Sequence, residues 1–146
     1  MEETVSSYDR NQALYAHISG LLAVTGLPFV HVIGPLVFYL QAKNGTSRFA
    51  LDNAREALNF QITAGIVWMI AIVAYVVVFV GAIATVPAHA GAEPPSGFFA
   101  AFGTAMAIVL VAVAYAIFDF VCVILAAVSV SNGTSYRYPL SIRFVR

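Results

Sequence analysis

An acid inside an apolar run is the first feature that needs a reason, and Asp119 is that acid. It lies 12 residues before Ser131, where the last apolar stretch stops. At about 1.5 Å per residue it is therefore roughly 15 Å or more from the helix end. Insertion scales put the cost at about 2.5–3.5 kcal/mol, so an intramembrane acid is a functional candidate by default. Asp119 could relay a proton or an ion, or line a polar cavity that touches a client protein. The plainer alternative is an acid that is protonated or paired, with Tyr115 one turn away or a polar group on another helix as its partner. The apolar runs contain no second acid to make a relay, which favours the plainer alternative.

Two histidines are the next candidates. His17 and His31 flank a Gly26-Leu27-Pro28 break. If the chain folds back there, they reach similar depth, and two imidazoles could hold a metal or a haem. Metal sites usually take three or four ligands, and nothing at ligand spacing joins this pair. Histidines that bond carbonyls freed by the prolines are the simpler expectation. Asn59 and Gln61 stand where charge disappears from the sequence, and they could bond across to such a hairpin, a common use of amides between membrane helices; hydration at the interface would serve equally well. Arg55, Arg137 and Arg143 could contact anionic headgroups, at about 1 kcal/mol each, or act only as anchors. Phosphate loops, nucleophile elbows, zinc-protease motifs and cysteine clusters are all absent from the sequence. No enzymatic activity, cofactor or nucleic-acid partner is expected.

These residues need a scaffold, and the composition says which kind. The chain has 146 residues, 61% apolar and 10% charged, against roughly 25% charged in soluble domains. No Asp, Glu, Lys or Arg occurs from Ala57 to Ala92. A chain of this kind belongs in lipid, as one membrane domain over 12–146 behind a polar tail at 1–11. Its single cysteine, Cys122, excludes an intrachain disulfide. The acidic Met1-Glu2-Glu3 start lacks a basic n-region, so the N-terminus is expected to be retained.

Helices are expected near 12–26, 29–42, 48–86 and 98–130, followed by an extended basic tail at 131–146. The segment 12–42 is interrupted at Gly26-Leu27-Pro28 and Gly34-Pro35. Proline removes a backbone donor and clashes with the preceding turn, so this segment is either a short hairpin or one kinked helix, with the hairpin favoured. Asp52 and Arg55 are close enough in sequence to pair on the third helix. Gly103 and Ala107 have the spacing of small-residue packing. The tetrad Asn-Gly-Thr-Ser occurs twice, at 44–47 and 132–135, and glycine just past a helix is expected as a left-handed cap. The fold class is thus an all-α membrane protein with a four-helix arrangement: a short N-terminal hairpin and two long transmembrane helices.

Lys43, Arg48 and Arg55 precede the third helix's apolar run, and Arg137, Arg143 and Arg146 follow the last helix, whereas the Pro87 to Gly97 loop has no basic residue. The positive-inside rule places residues 43–56 and the C-terminus in the cytoplasm. The Asn-Gly-Thr triplets are then chance matches to a glycosylation pattern.

Three stretches look familiar together: Ala16-His17-Ile18-Ser19-Gly20-Leu21-Leu22, Glu56-Ala57-Leu58-Asn59-Phe60-Gln61 and Tyr136-Arg137-Tyr138-Pro139-Leu140-Ser141-Ile142-Arg143. In this order they resemble the Tic-twenty-like family of small bacterial membrane proteins, over about residues 13–146. That family is similar to a channel-forming subunit of the chloroplast inner-envelope protein translocon. The resemblance implies four helices, a multi-pass protein of the bacterial inner membrane, and a part in moving or inserting proteins. The bilayer, other membrane proteins or a translocation complex, and further copies of the chain are the expected partners. The first functional expectation is therefore an accessory in protein translocation or membrane-complex assembly. A small ion or solute transporter using Asp119 is the second, and a haem or metal protein using His17 and His31 the third.

Overall fold

The computed structural model describes residues 5–25, 29–86, 93 and 95–146. The Gly26-Leu27-Pro28 break and most of the Pro87 to Gly97 loop, including His89, lie outside the described residues. The chain forms α1 (Ser7–Ile18), a 3-10 stretch (Ser19–Thr25), α2 (Val30–Lys43), α3 (Arg48–Ala84) and α4 (Ser96–Ser131). No strand occurs among the described residues. The four-helix, all-α membrane architecture expected from the sequence is what forms.

Helix α1 begins at Ser7, ahead of the apolar run that starts at Gln12, because Ser6 caps it. The Ser6 hydroxyl accepts from Asp9 N–H at 3.1 Å, and the acid sits in the first turn where the helix dipole favours it. Helix α1 and the 3-10 stretch both pack against α2, which makes the segment a hairpin and not one kinked helix. Gly34 permits the approach. A Cβ there would fall 2.6 Å from the Ser19 Cβ, closer than two carbons can come.

The repeated tetrad does not repeat its geometry. After α4, Gly133 is left-handed at φ +79°, its N–H bonds Val130 O at 2.9 Å, and Thr134 N–H bonds Ser129 O at 3.1 Å. That pair of bonds is a Schellman motif. After α2, the expected left-handed glycine is not found: positive φ values are confined to Phe29, Gly133 and Leu140 among the described residues. There Asn44 and Gly45 close tight turns onto Gln41 O and Ala42 O, and Ser47 already caps α3 by accepting from Ala50 N–H at 3.2 Å. The connection is too short to complete one cap before the next begins.

The chain divides into two compact units. The first comprises Met1–Gly65 with Phe118–Arg146. Its core has two clusters. Ala16, Ala42, Ala50, Ala54 and Ala57 form the contact among α1, α2 and α3, where small side chains allow close backbones. Phe60, Cys122, Val123, Ala126 and Tyr138 form the other, which ties α3 and α4 to the tail.

The second unit, Ile66–Ile117, is built from the apolar parts of α3 and α4. Its side chains are apolar yet uncovered: Ile70, Val77, Leu110 and Val111 are 64–70% exposed. Only 6% of the most apolar window of α3 and 11% of that of α4 is buried by protein. A core helix of a soluble protein would be mostly covered, whereas these are long enough to cross a bilayer and present the surface lipid would contact. Trp68 meets Tyr115 edge-on at 6.4 Å within this unit. Gly103 has open space among the described residues where a Cβ would stand.

Candidate functional site

The stretch where charge leaves the sequence is the part of α3 on which the tail docks. The side chains Asn53, Asn59, Gln61 and Thr63 are all buried here. Buried amides must find partners or cost free energy, and the tail supplies most of them. Asn59 donates from Nδ2 to Val145 O at 3.0 Å and accepts the Val145 N–H on Oδ1 at 2.8 Å. One side chain thereby makes both bonds that a neighbouring strand would make. Thr63 Oγ1 accepts from Ile142 N–H at 3.0 Å while donating to Asn59 O at 2.8 Å. The tail turns back on itself near Leu140, whose φ is +59°. Its outgoing limb lies by Asn53, and its returning limb lies by Glu56 and Asn59.

Asn53 is fully used. Its Nδ2 donates to Phe49 O at 2.9 Å and Ser135 Oγ at 3.2 Å, and its Oδ1 accepts Tyr136 N–H at 3.1 Å. The same oxygen faces His17 Nε2 at 3.5 Å. Since an amide oxygen only accepts, Nε2 carries the proton and Nδ1 accepts from the Tyr138 hydroxyl at 2.9 Å. The Tyr138 ring stacks on Phe60 at 3.9 Å and 9°. Helix α1 lies outside the two spanning helices, and there burial pushes the His17 imidazole down to about 4, with the Asn53 hydrogen bond opposing that shift. Tyr138, on the tail, is pushed well above the usual phenol range, chiefly by burial. This chain of neutral groups fastens the tail to α1 and α3 and exposes no nucleophile.

The candidate residues from the sequence go to different places. His17 has both ring nitrogens engaged, so it has none left for a metal, and the expected bonding to freed carbonyls is replaced by bonding to Tyr138 and Asn53. His31 is on α2 with Nε2 buried and unpaired, and that nitrogen would lie 3.1 Å from a Cβ at Gly65. No group of three or more His, Cys, Asp or Glu residues that could hold a metal occurs among the described residues. Gln61 packs against Gly20, where a Cβ would come within 2.5 Å of its Nε2. It also faces Asp119 Oδ1 at 3.5 Å, so an amide on another helix partners the intramembrane acid. Tyr115 belongs to the second unit with Trp68. Asn59 bonds the tail instead of the hairpin.

The basic residues gather along the docked tail. Arg55 pairs with Asp52 at 3.1 Å and Arg143 with Glu56 at 3.4 Å. Together with Arg137 and Arg146 they line a cavity of about 420 Å³ between α3 and the two limbs. Sequence reasoning missed Asn53, Thr63 and Tyr138 as parts of this site. Their signal was their company: each stands in or beside a stretch rich in amides or tyrosines that the apolar pattern does not require.

The sequence pattern of the MamF/MmsF family, described as a magnetosome magnetite crystal formation protein family, matches residues 8–145. The chain belongs to that family. No curated protein and no solved structure matches it. The match overturns the Tic-twenty-like resemblance, and the implied part in protein transport falls with it. The three stretches that carried the resemblance have a structural use: Ala16 to Leu22, Glu56 to Gln61 and Tyr136 to Arg143 are the places where hairpin, α3 and tail meet in the first unit. Such sequences report a packing solution as much as an activity. With two long apolar helices and a magnetosome family, the chain is a membrane protein.

Proposed function

We propose that this chain is a non-enzymatic membrane component of magnetite crystal formation and that its first unit, with the tail docked on α3, is the working part. The observation carrying the proposal is the family match over nearly the whole chain. The geometry supports a binding or assembly role: Asn53, Asn59 and Thr63 hold the tail against α3. The tail and the α2–α3 connection face the cytoplasm, in keeping with the basic residues at Lys43, Arg48, Arg137, Arg143 and Arg146. Self-association and contact with other membrane proteins fit the exposed apolar helices.

The test is deletion of the gene in a magnetite-forming host, followed by electron microscopy of the crystals. Smaller, fewer or misshapen crystals, restored by the wild-type chain, are expected. Crystals unchanged in size, shape and number would refute the proposal.

The pairing of Gln61 with Asp119 favours one second reading, an ion path through the spanning helices with Asp119 as its ionisable group. Reconstituted vesicles would show a flux that Asp119→Asn abolishes. No flux in the wild type, or the same flux in the variant, would end that reading.

A further inference from the structure

In the cavity beneath the tail, arginines outnumber the carboxylate side chains. Four arginines line it, Arg55, Arg137, Arg143 and Arg146, against two carboxylates, Asp52 and Glu56. Each carboxylate takes one arginine, Asp52 holding Arg55 and Glu56 holding Arg143. Two guanidinium charges are left over.

The walls are fixed, which separates this cavity from a loose patch of surface charge. Asn53 clamps the outgoing limb at Ser135 and Tyr136, and Asn59 clamps the returning limb at Val145. The arginines that follow or flank these clamps, Arg137 and Arg146, are carried on backbone held from α3. A planar guanidinium offers parallel N–H donors matched to the oxygens of a phosphate, and paired arginines are the usual means of holding one.

We propose that this cavity binds a phosphate group, held by Arg137 and Arg146. A phosphate group is complementary to the positive charge of these two arginines. The chemistry is shared by a free phosphate and by the headgroup of an anionic phospholipid. The site stands independently of the role in crystal formation, because its test involves no magnetite.

The experiment uses the purified full chain in phosphatidylcholine nanodiscs. One arm titrates inorganic phosphate. The other replaces part of the lipid with phosphatidylglycerol and measures how much stays with the protein after detergent extraction. The probe variant is Arg137→Gln/Arg146→Gln, which leaves the Asn53, Asn59 and Thr63 clamps and both ion pairs in place. The control is Lys43→Gln/Arg48→Gln, which removes the same charge from outside the cavity. At least tenfold weaker binding in the probe variant, and less than twofold in the control, is expected in one arm or the other. Retention of phosphatidylglycerol, displaced only weakly by phosphate, identifies the lipid headgroup; saturable phosphate binding in phosphatidylcholine alone identifies the free anion. Binding in neither arm overturns the proposal. So does equal loss in probe and control, because that is a response to net charge alone.

Discussion

The two units of this chain solve the problem of a helical membrane protein in opposite ways. In the first, backbone and side chains are tied by named polar bonds: Asn53, Asn59 and Thr63 fasten the tail, and His17 locks Tyr138. In the second, apolar side chains stand uncovered, and even glycines have room to spare, as at Gly81 and Gly103. The difference teaches where sequence changes matter. A unit built on reciprocal hydrogen bonds has few acceptable substitutions, because removing one partner strands the other. A pair of helices that meets lipid asks only for length and hydrophobicity.

The largest expected contrast comes from the ring stack. Phe60 is 1% exposed and lies flat on Tyr138. Phe60→Ala should cost about 3–5 kcal/mol in unfolding experiments, whereas Val77→Ala in the second unit should change stability by no more than about 0.5 kcal/mol. Similar losses at both positions would erase the distinction.

Acid should divide the units next. His17 is held near 4, below the ordinary 6.5, so the unfolded chain takes up the proton first. Its contribution is complete above about pH 6.5 and is lost as pH falls through 4, for a total of about 3 kcal/mol. His17→Gln should flatten the acid limb of a pH–stability profile. An unaltered limb would mean that other groups set it. The second unit carries a single acid, Glu93, and no base other than His89, so its helicity should hardly respond over the same range.

Asn59→Ala comes after that. It removes both bonds to Val145, and the expected loss is about 2 kcal/mol, visible as faster hydrogen exchange at the Val145 and Ile142 amides. Exchange at the wild-type rate would show that the amide does not hold the tail. The glycines give the smallest and sharpest comparison. Gly20→Ala drives a methyl into Gln61 and should destabilise by about 1–3 kcal/mol. Gly103→Ala meets nothing and should be neutral or stabilising by up to about 1 kcal/mol. Thermal melts should show a lower midpoint for Gly20→Ala and an unchanged or higher one for Gly103→Ala.

The legibility of the sequence follows the same division. The second unit could be read directly, because an uncharged apolar run of this length has one physical outcome in lipid. The hairpin was readable from its prolines and glycines. The first unit's site was only half readable. Asn59 and Gln61 stood out as amides at the margin of the apolar run, but nothing local says that a tail more than 80 residues later will satisfy Asn59. Asp119 drew attention as a lone acid, yet its partner Gln61 is 58 residues away. Long-range polar pairing leaves no period in the sequence. The arginines were placed by charge alone, and their convergence depends on the tail doubling back at Leu140. The mistaken family resemblance has a related cause, since motifs that make a hairpin, a helix and a tail fit together can be shared in outline without a shared role.

The most direct test of the central claim compares the units inside the cell. A strain lacking the gene would be complemented with the wild-type chain, with Asn59→Ala or with Val77→Ala, each at equal abundance in the membrane, and crystal sizes would be measured by electron microscopy. If the docked tail is the working part, Val77→Ala restores wild-type crystals and Asn59→Ala does not. Equal restoration by both variants would contradict the claim.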